Sequence, residues 1–218
     1  MFLLIILIMV LGKMKPAGII EILIYHMVQD LAKFLGPMAY FNLNGDNMAT
    51  YKEDESGCPF VYSITAIEKV VDGDTVDAVI DLGFDVRFCG RIRLLGIDTP
   101  ESRTRDLEEK FYGKLSTAAL KSWLHWAIMS DRDDIEIKLR CPEADSRGKF
   151  GRILGELWIN CTADGQEFSG WTNLNKWMCE SGYAVGYFGG SKEEIEAEHM
   201  KNRKLLEESQ GIKYEEYN

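Results

Sequence analysis

Little in this 218-residue sequence points to thiol or imidazole chemistry. Its 5 cysteines, Cys58, Cys89, Cys141, Cys161 and Cys179, are widely spaced and contain no CxxC pair, which excludes a zinc site of ordinary spacing and leaves them as buried or incidental thiols. The 3 histidines, His26, His125 and His199, are equally scattered, so neither a zinc centre nor a Ser/His/Asp arrangement has support. Net positive charge is also lacking. A formal charge of -10 and a pI near 4.9 exclude a surface that coats polyanions generally, because a phosphate backbone would be repelled at long range. Much of the acid excess lies near the C-terminus, from Glu193 to Glu216, and this leaves Arg87, Arg91, Arg93, Arg103, Arg105, Arg140, Arg147, Lys149 and Arg152 in the middle of the chain. Any contact with nucleic acid must therefore be local.

A long apolar run is missing as well. Residues 2–11, FLLIILIMVL, are uninterrupted, but a helix needs about 20 such residues to cross a bilayer. A secretory signal carries positive charge before its apolar core, whereas here Lys13 and Lys15 follow it. The lack of a convincing signal favours the cytoplasm, with export or anchoring through the apolar run as the alternative. Downstream, Ile20, Ile24, Met27, Leu31 and Leu35 recur at helical spacing. Three readings compete for this region: a weak membrane anchor in which residues 1–35 touch lipid, an added amphipathic hairpin, or an upstream extension of a chain that starts at Met48. The last is favoured, because NLNGDNMATYKEDESG is linker-like and the chemically informative residues lie beyond it. The expected organisation is an apolar extension over 1–47, a linker over 48–59, one domain over 60–214 and an acidic tail over 215–218.

What is present beyond the linker is a strand pattern. PFVYSITAIEKV, DTVDAVIDL and VRFCGRIRLLGI alternate to differing degrees, and Gly83-Phe84-Asp85 is a hairpin turn between the second and third. Asp106 followed by Glu109 resembles a capping box, and Phe111, Leu115, Ala119, Trp123 and Trp126 repeat at near-helical spacing, which predicts a helix over 107–129. IEIKLR and RILGELWI are two further strands, separated by the basic, glycine-containing loop DSRGKFGR. A short helix follows near Asn173 to Ser181, stopped by Gly182, and a last helix opens at Ser191 with Glu194 completing a second box. Five short strands with a helix between the third and fourth predict an α+β fold, a five-stranded Greek-key barrel of the OB type with helices outside it.

Two acid-rich turns stand out against that frame. VVDGDTVDAVI places Asp72 and Asp74 around Gly73, and RLLGIDTPE ends a strand in Asp98, Thr99, Pro100 and Glu101. Turns favour Asx and Pro for local reasons, but two such turns in succession suggest one shared site. Hydrolysing a phosphodiester requires cations, since the diester is an anion and its transition state concentrates more charge on the equatorial oxygens. A hard metal held by carboxylates and arginine forks matched to phosphate supply them, and a nearby carboxylate deprotonates the attacking water. The chain offers Asp74 and Asp98 for metal, Arg93 and Arg152 for phosphate, and Glu101 for the base.

VVDGDTV, RLLGIDTPE, EKFYG and GKFGR, in this order and at comparable spacing, resemble the staphylococcal (thermonuclease-like) nuclease family from about Phe60 to Tyr214. The resemblance implies an OB barrel with three helices and a calcium-dependent endonuclease that cleaves DNA and RNA by attack of water on phosphorus. It implies Asp74, Asp98 and the Thr99 carbonyl as calcium ligands, although spacing alone leaves magnesium and manganese open. It makes Arg93 a link between metal region and phosphate, Arg152 the stabiliser of developing charge, and Glu101 the general base. Asp72 lies beside the metal, tuning it through water or shaping the turn. Lys149, Phe150 and Tyr187 fall at substrate-binding positions. Phe150 stands where the family commonly has a tyrosine and so lacks the hydroxyl, while Gly189 stands where a second tyrosine is often found, with Phe188 nearby. The implied partner is DNA or RNA, single-stranded or frayed, bound by a monomer without an obligate protein partner. The opposing reading is a catalytically inactive OB module that binds single-stranded nucleic acid or a protein.

Overall fold

The computed structural model describes residues 59–129, 135–161 and 170–214. The expectations for 1–47, the linker to position 58 and the acidic tail lie outside the described residues, as does the membrane contact of residues 1–35.

Strand β1 (Phe60–Asp72) pairs with β2 (Thr75–Asp81), and β2 with β3 (Arg87–Leu94), all antiparallel. In β2 the alternation Val76, Ala78, Ile80 is buried, the period-two pattern of a strand with one face on a core. At 13 residues β1 is long enough to serve two neighbours: its start pairs with β5 (Ile135–Cys141) and its remainder with β2. Three register irregularities, between Ile64 and Ala66, Ile67 and Lys69, and Val70 and Asp72, allow it to bend between them. The next strand, β6 (Ile153–Cys161), pairs antiparallel with β5 and then parallel with β3 through Ile92, Arg93 and Leu94. That contact closes a five-stranded barrel, the α+β OB-like fold expected. The turn after β2 also matches expectation, with Gly83, Phe84 and Asp85 all at positive φ and the Gly83 amide donating to Asp81 Oδ1 at 2.8 Å.

Two short ladders had no sequence signal. A two-residue β4 (Ile97–Asp98) pairs with an equally short β8 (Val185–Gly186), and β7 (Gly170–Asn173) extends the sheet beside β6. Helix α1 (Leu107–Met129) has the predicted limits. Its buried stripe is centred slightly to one side of the predicted one, on Tyr112, Ala119, Leu120, Trp123 and Leu124, because 3.6 residues per turn drifts from a strict four-residue repeat. Phe111 and Leu115 flank it half-buried, and the Trp126 side chain lies outside the described residues. Only half of the first capping box forms. Asp106 accepts from the Glu109 amide at 3.0 Å, while the Glu109 carboxylate turns to the Glu101 amide at 3.4 Å. Helix α2 (Leu174–Glu180) is capped by Asn173, and α3 (Lys192–Gln210) carries the complete Ser191/Glu194 box. Buried Asn175 of α2 accepts from the Leu157 amide and donates to the Leu95 carbonyl at 2.8 Å, clamping the chain just before the second acidic turn.

Two glycines set the close approaches on which the site depends. At Gly73 a Cβ would lie 2.7 Å from the Ser116 Cβ and 3.0 Å from the Thr99 Cγ2, so the first acidic turn can nestle against both α1 and the second turn. At Gly113, in the EKFYG stretch of α1, a Cβ would lie 2.6 Å from the Pro100 carbonyl oxygen and 2.7 Å from the Glu101 carbonyl carbon. Backbone atoms cannot rotate aside as a side chain can. Gly113→Ala gains about 1 kcal/mol of helix propensity, but overpacking costs typically about 1–3 kcal/mol, and clash against main chain falls at the upper end. Urea unfolding should therefore show net destabilisation of Gly113→Ala, whereas the exposed neighbour change Lys114→Ala should stay within about 0.5 kcal/mol.

Candidate active site

The β1–β2 hairpin turns through Gly73 and Asp74, with Asp72 paired to Thr75. Register places Thr75 opposite Arg93 of β3, and the Leu94 amide donates to the Asp74 carbonyl at 2.8 Å. Asp74 is thus carried inward, only 6% exposed, with Oδ1 accepting from the Thr75 hydroxyl at 2.8 Å and Oδ2 from the Thr99 hydroxyl at 3.1 Å. Asp98 is presented by β4, held in place by its pairing with Val185. Arg93 joins the two acids: its Nη1 lies 2.8 Å from Asp74 Oδ2 and its Nη2 3.2 Å from Asp98 Oδ1. Arg93 therefore brings the two turns together.

The charges there are unevenly compensated. Burial pushes the Asp74 carboxyl up to about 7, against the pull of the Arg93 guanidinium and with a further push from the Asp72 carboxylate. Asp72 Oδ2 accepts from Arg103 Nη2 at 3.1 Å, while its buried Oδ1 has no hydrogen-bond partner among the described residues. Two guanidiniums, Arg93 and Arg103, thus face the three carboxyl groups of Asp72, Asp74 and Asp98, a balance that a further cation would improve. No cluster of three or more His, Cys, Asp or Glu side chains poised for a metal occurs among the described residues. The donors gathered on Arg93 are the carboxylates of Asp74 and Asp98, hard oxygens of the type that an ion such as calcium takes.

Beside these acids runs a cavity of about 600 Å³ lined by Asp72, Thr75, Arg91, Arg103, Phe150 and Arg152, among others. Its three arginines differ in availability. Arg91 forks onto Asp77 at 2.6 and 2.8 Å, holding that carboxyl below its usual range, and Arg103 is paired with Asp72. Arg152 donates from Nε to the Lys149 carbonyl at 3.2 Å, lies 5.9 Å from the Phe150 ring centre, and has no carboxylate partner among the described residues. Phe150 is 95% exposed at φ 63° inside a single 3-10 turn, Lys149–Gly151.

The other sequence-predicted residues are placed less centrally. Glu101 is exposed, and its carboxylate accepts from the Arg103 amide at 3.1 Å, closing its own turn. Lys149 is exposed next to Phe150 but does not line the cavity. Tyr187 follows β8, half exposed, with its amide bonded to the Gly96 carbonyl at 2.8 Å, and Phe188 is exposed with its ring edge over Gly96.

Two residues gain a place that the sequence reading did not give them. Arg103, noted there only for its charge, covers Asp72. His199 of α3 sets Nε2 at 3.1 Å from Asp98 Oδ2, with its side chain only 11% exposed. No local signal marks His199, a single histidine on an acidic helix. Cys179, by contrast, carries no such promise, since burial pushes its thiol up to about 11.

The family model for staphylococcal nuclease homologues matches residues 91–211. That span holds Arg93, Asp98, Glu101, Arg152, Tyr187 and His199, while the Asp72–Asp74 turn precedes it. An uncharacterized protein of Methanocaldococcus jannaschii is 30% identical over 151 residues, covering 63% of this chain and 68% of the relative. With a closed five-stranded barrel, flanking helices and a family match over more than half its length, the chain belongs to the staphylococcal nuclease homologue family.

Proposed function

We propose that this chain is a calcium-dependent endonuclease that hydrolyses the phosphodiester bonds of DNA and RNA. The observation that carries this reading is the Arg93 fork, which draws Asp74 and Asp98 onto one guanidinium next to an arginine-lined groove. Asp74, Asp98 and the Thr99 carbonyl would hold the ion. Bound there, calcium supplies positive charge against the scissile phosphate.

The remaining work falls to side chains of the chain itself. Arg93 has donors beyond those spent on the acids and offers them to a non-bridging phosphate oxygen. Arg152, free of any carboxylate partner among the described residues, meets the charge that develops on the equatorial oxygens. Glu101 takes the proton of the attacking water, whose oxygen bonds to phosphorus as one P–O ester bond breaks and the departing oxygen gains a proton from solvent. Phe150, Tyr187 and Phe188 expose aromatic faces to which unpaired bases can stack, which favours single-stranded or frayed substrates.

Purified protein should degrade single-stranded DNA and RNA with added calcium and stop when a chelator is added; a rate indifferent to the chelator overturns the metal assignment. Arg152→Ala should keep its fold, since the side chain stands at the groove surface, and lose about 10²-fold in kcat. Single-turnover kinetics would check this, and an unchanged kcat removes the assigned role.

The acid at the centre also carries a testable pH dependence. In the metal-free chain the Asp74 carboxyl titrates at about 7 rather than its ordinary 3.8, so the folded state holds a proton through that window which the unfolded chain has released. Stability due to this group is full below the ordinary value and falls as pH rises through 7. Melting in chelator should show the wild type losing ground to Asp74→Asn between pH 5 and pH 8, while the variant has no nuclease activity at either pH. A difference between the two midpoints that does not change with pH would rule out the buried, under-compensated carboxylate.

A further inference from the structure

We infer that His199 is a positioning residue for Asp98, and that through it the docking of α3 is linked to metal binding at the acid pair. The inference rests on the proposed metal role of Asp98.

Helix α3 packs inward along residues 199, 202, 203 and 206, the spacing of one helical face. Only Leu206 of these is a buried apolar side chain. The other three reach different parts of the molecule through polar groups. Asn202 donates to the Ala184 carbonyl at 2.7 Å, and Arg203 pairs with Glu108 of α1 at 3.1 Å with its guanidinium over the Tyr112 ring. His199 alone touches a residue of the acid pair, Asp98 Oδ2 at 3.1 Å. Toward an ionised carboxylate, which only accepts hydrogen bonds, His199 can make this contact only as an Nε2–H donor.

Asp98 is thereby held from two sides. Arg93 donates to one oxygen at 3.2 Å and His199 approaches the other at 3.1 Å. A carboxylate fixed at both oxygens cannot turn about its Cβ–Cγ bond without losing one donor, yet each oxygen keeps a second lone pair for an ion. Partners that orient metal ligands are typically worth about 10–100-fold in metal affinity. Two-residue β4 would otherwise be a slight support for a ligand, and α3 supplies the missing rigidity from a point 101 residues away in sequence.

The test is calcium titration of the full chain by calorimetry, alongside its melting midpoint in chelator. His199→Ala should weaken calcium binding about tenfold or more, and His199→Gln, which can return an N–H to the same oxygen, should recover most of the loss. Asn202→Ala loosens the same helix without touching Asp98; it should lower the midpoint in chelator but bind calcium nearly as the wild type does. His199→Leu, which fills the space without a donor, replaces the alanine variant if that fails to fold. Wild-type affinity in His199→Ala or His199→Leu overturns the inference, as does an equal loss in Asn202→Ala, which would assign the effect to helix docking alone. A wild-type chain that binds no calcium sinks the metal reading itself and the role of His199 with it.

Discussion

The arrangement depends on one guanidinium shared by two acids. Arg93 lies at the end of β3 where that strand is paired on both sides, with Thr75 of β2 on one and Leu154 of β6 on the other. Its neighbours Ile92 and Leu94 point into the core. A slip of one residue would exchange those side chains with Arg93 and place a charge in the barrel, so the hydrophobic register that closes the barrel also aims the arginine. The site is therefore part of the barrel seam rather than an addition to it. As a contributor to stability the cluster is a poor device, because desolvating carboxylates offsets most of what their pairing returns. Its presence at a seam that apolar residues could fill is in keeping with the chemical role proposed for it.

Much of this was legible in the sequence wherever one signal sat within one segment. Helix α1 emerged with correct limits from its repeat, α3 from Ser191 and Glu194, and the barrel strands from alternation. The two acidic turns could be recognised as related because each is compact and each interrupts a strand. Less was legible where the physics is non-local. The parallel closure of β3 on β6 has no sequence signature, nor do the two-residue ladders of β4 and β8, whose pairing depends on where α2 and the loop after it have been placed. The partial first capping box shows a tertiary contact overriding a local motif: Glu109 forgoes the cap to reach the loop that bears Glu101.

The same division holds within the site. Asp74, Arg93, Asp98 and Thr99 come together because adjacent turns and a paired strand bring them there, and a reading of neighbouring segments reaches that far. His199 needed the course of the whole chain. Arg103 shows an intermediate case, since its sequence position revealed the charge but only the fold revealed that the charge is spent on Asp72. Proximity in sequence predicts which groups can meet; the fold decides which of them remain available.

Availability also reconciles an acidic protein with the anionic substrate proposed for it. At a formal charge of -10 the chain repels a polyanion from afar, and salt reduces that repulsion beyond about 10 Å. Close in, only short-range contacts count. Two of the groove arginines are already matched by Asp77 and Asp72, so they lend shape and donors more than net charge, while Arg152 keeps its charge beside the exposed Phe150 ring. Such a groove has one strong point of attraction instead of a continuous basic track. Phenylalanine at position 150 fits that arrangement: its ring presents a face toward Arg152 and carries no hydroxyl donor, so under the proposed function recognition of the anion would fall to the guanidinium groups. Substrate grip would then come from a few charged contacts and stacked faces, and the acidic face of α3 can remain without weakening it.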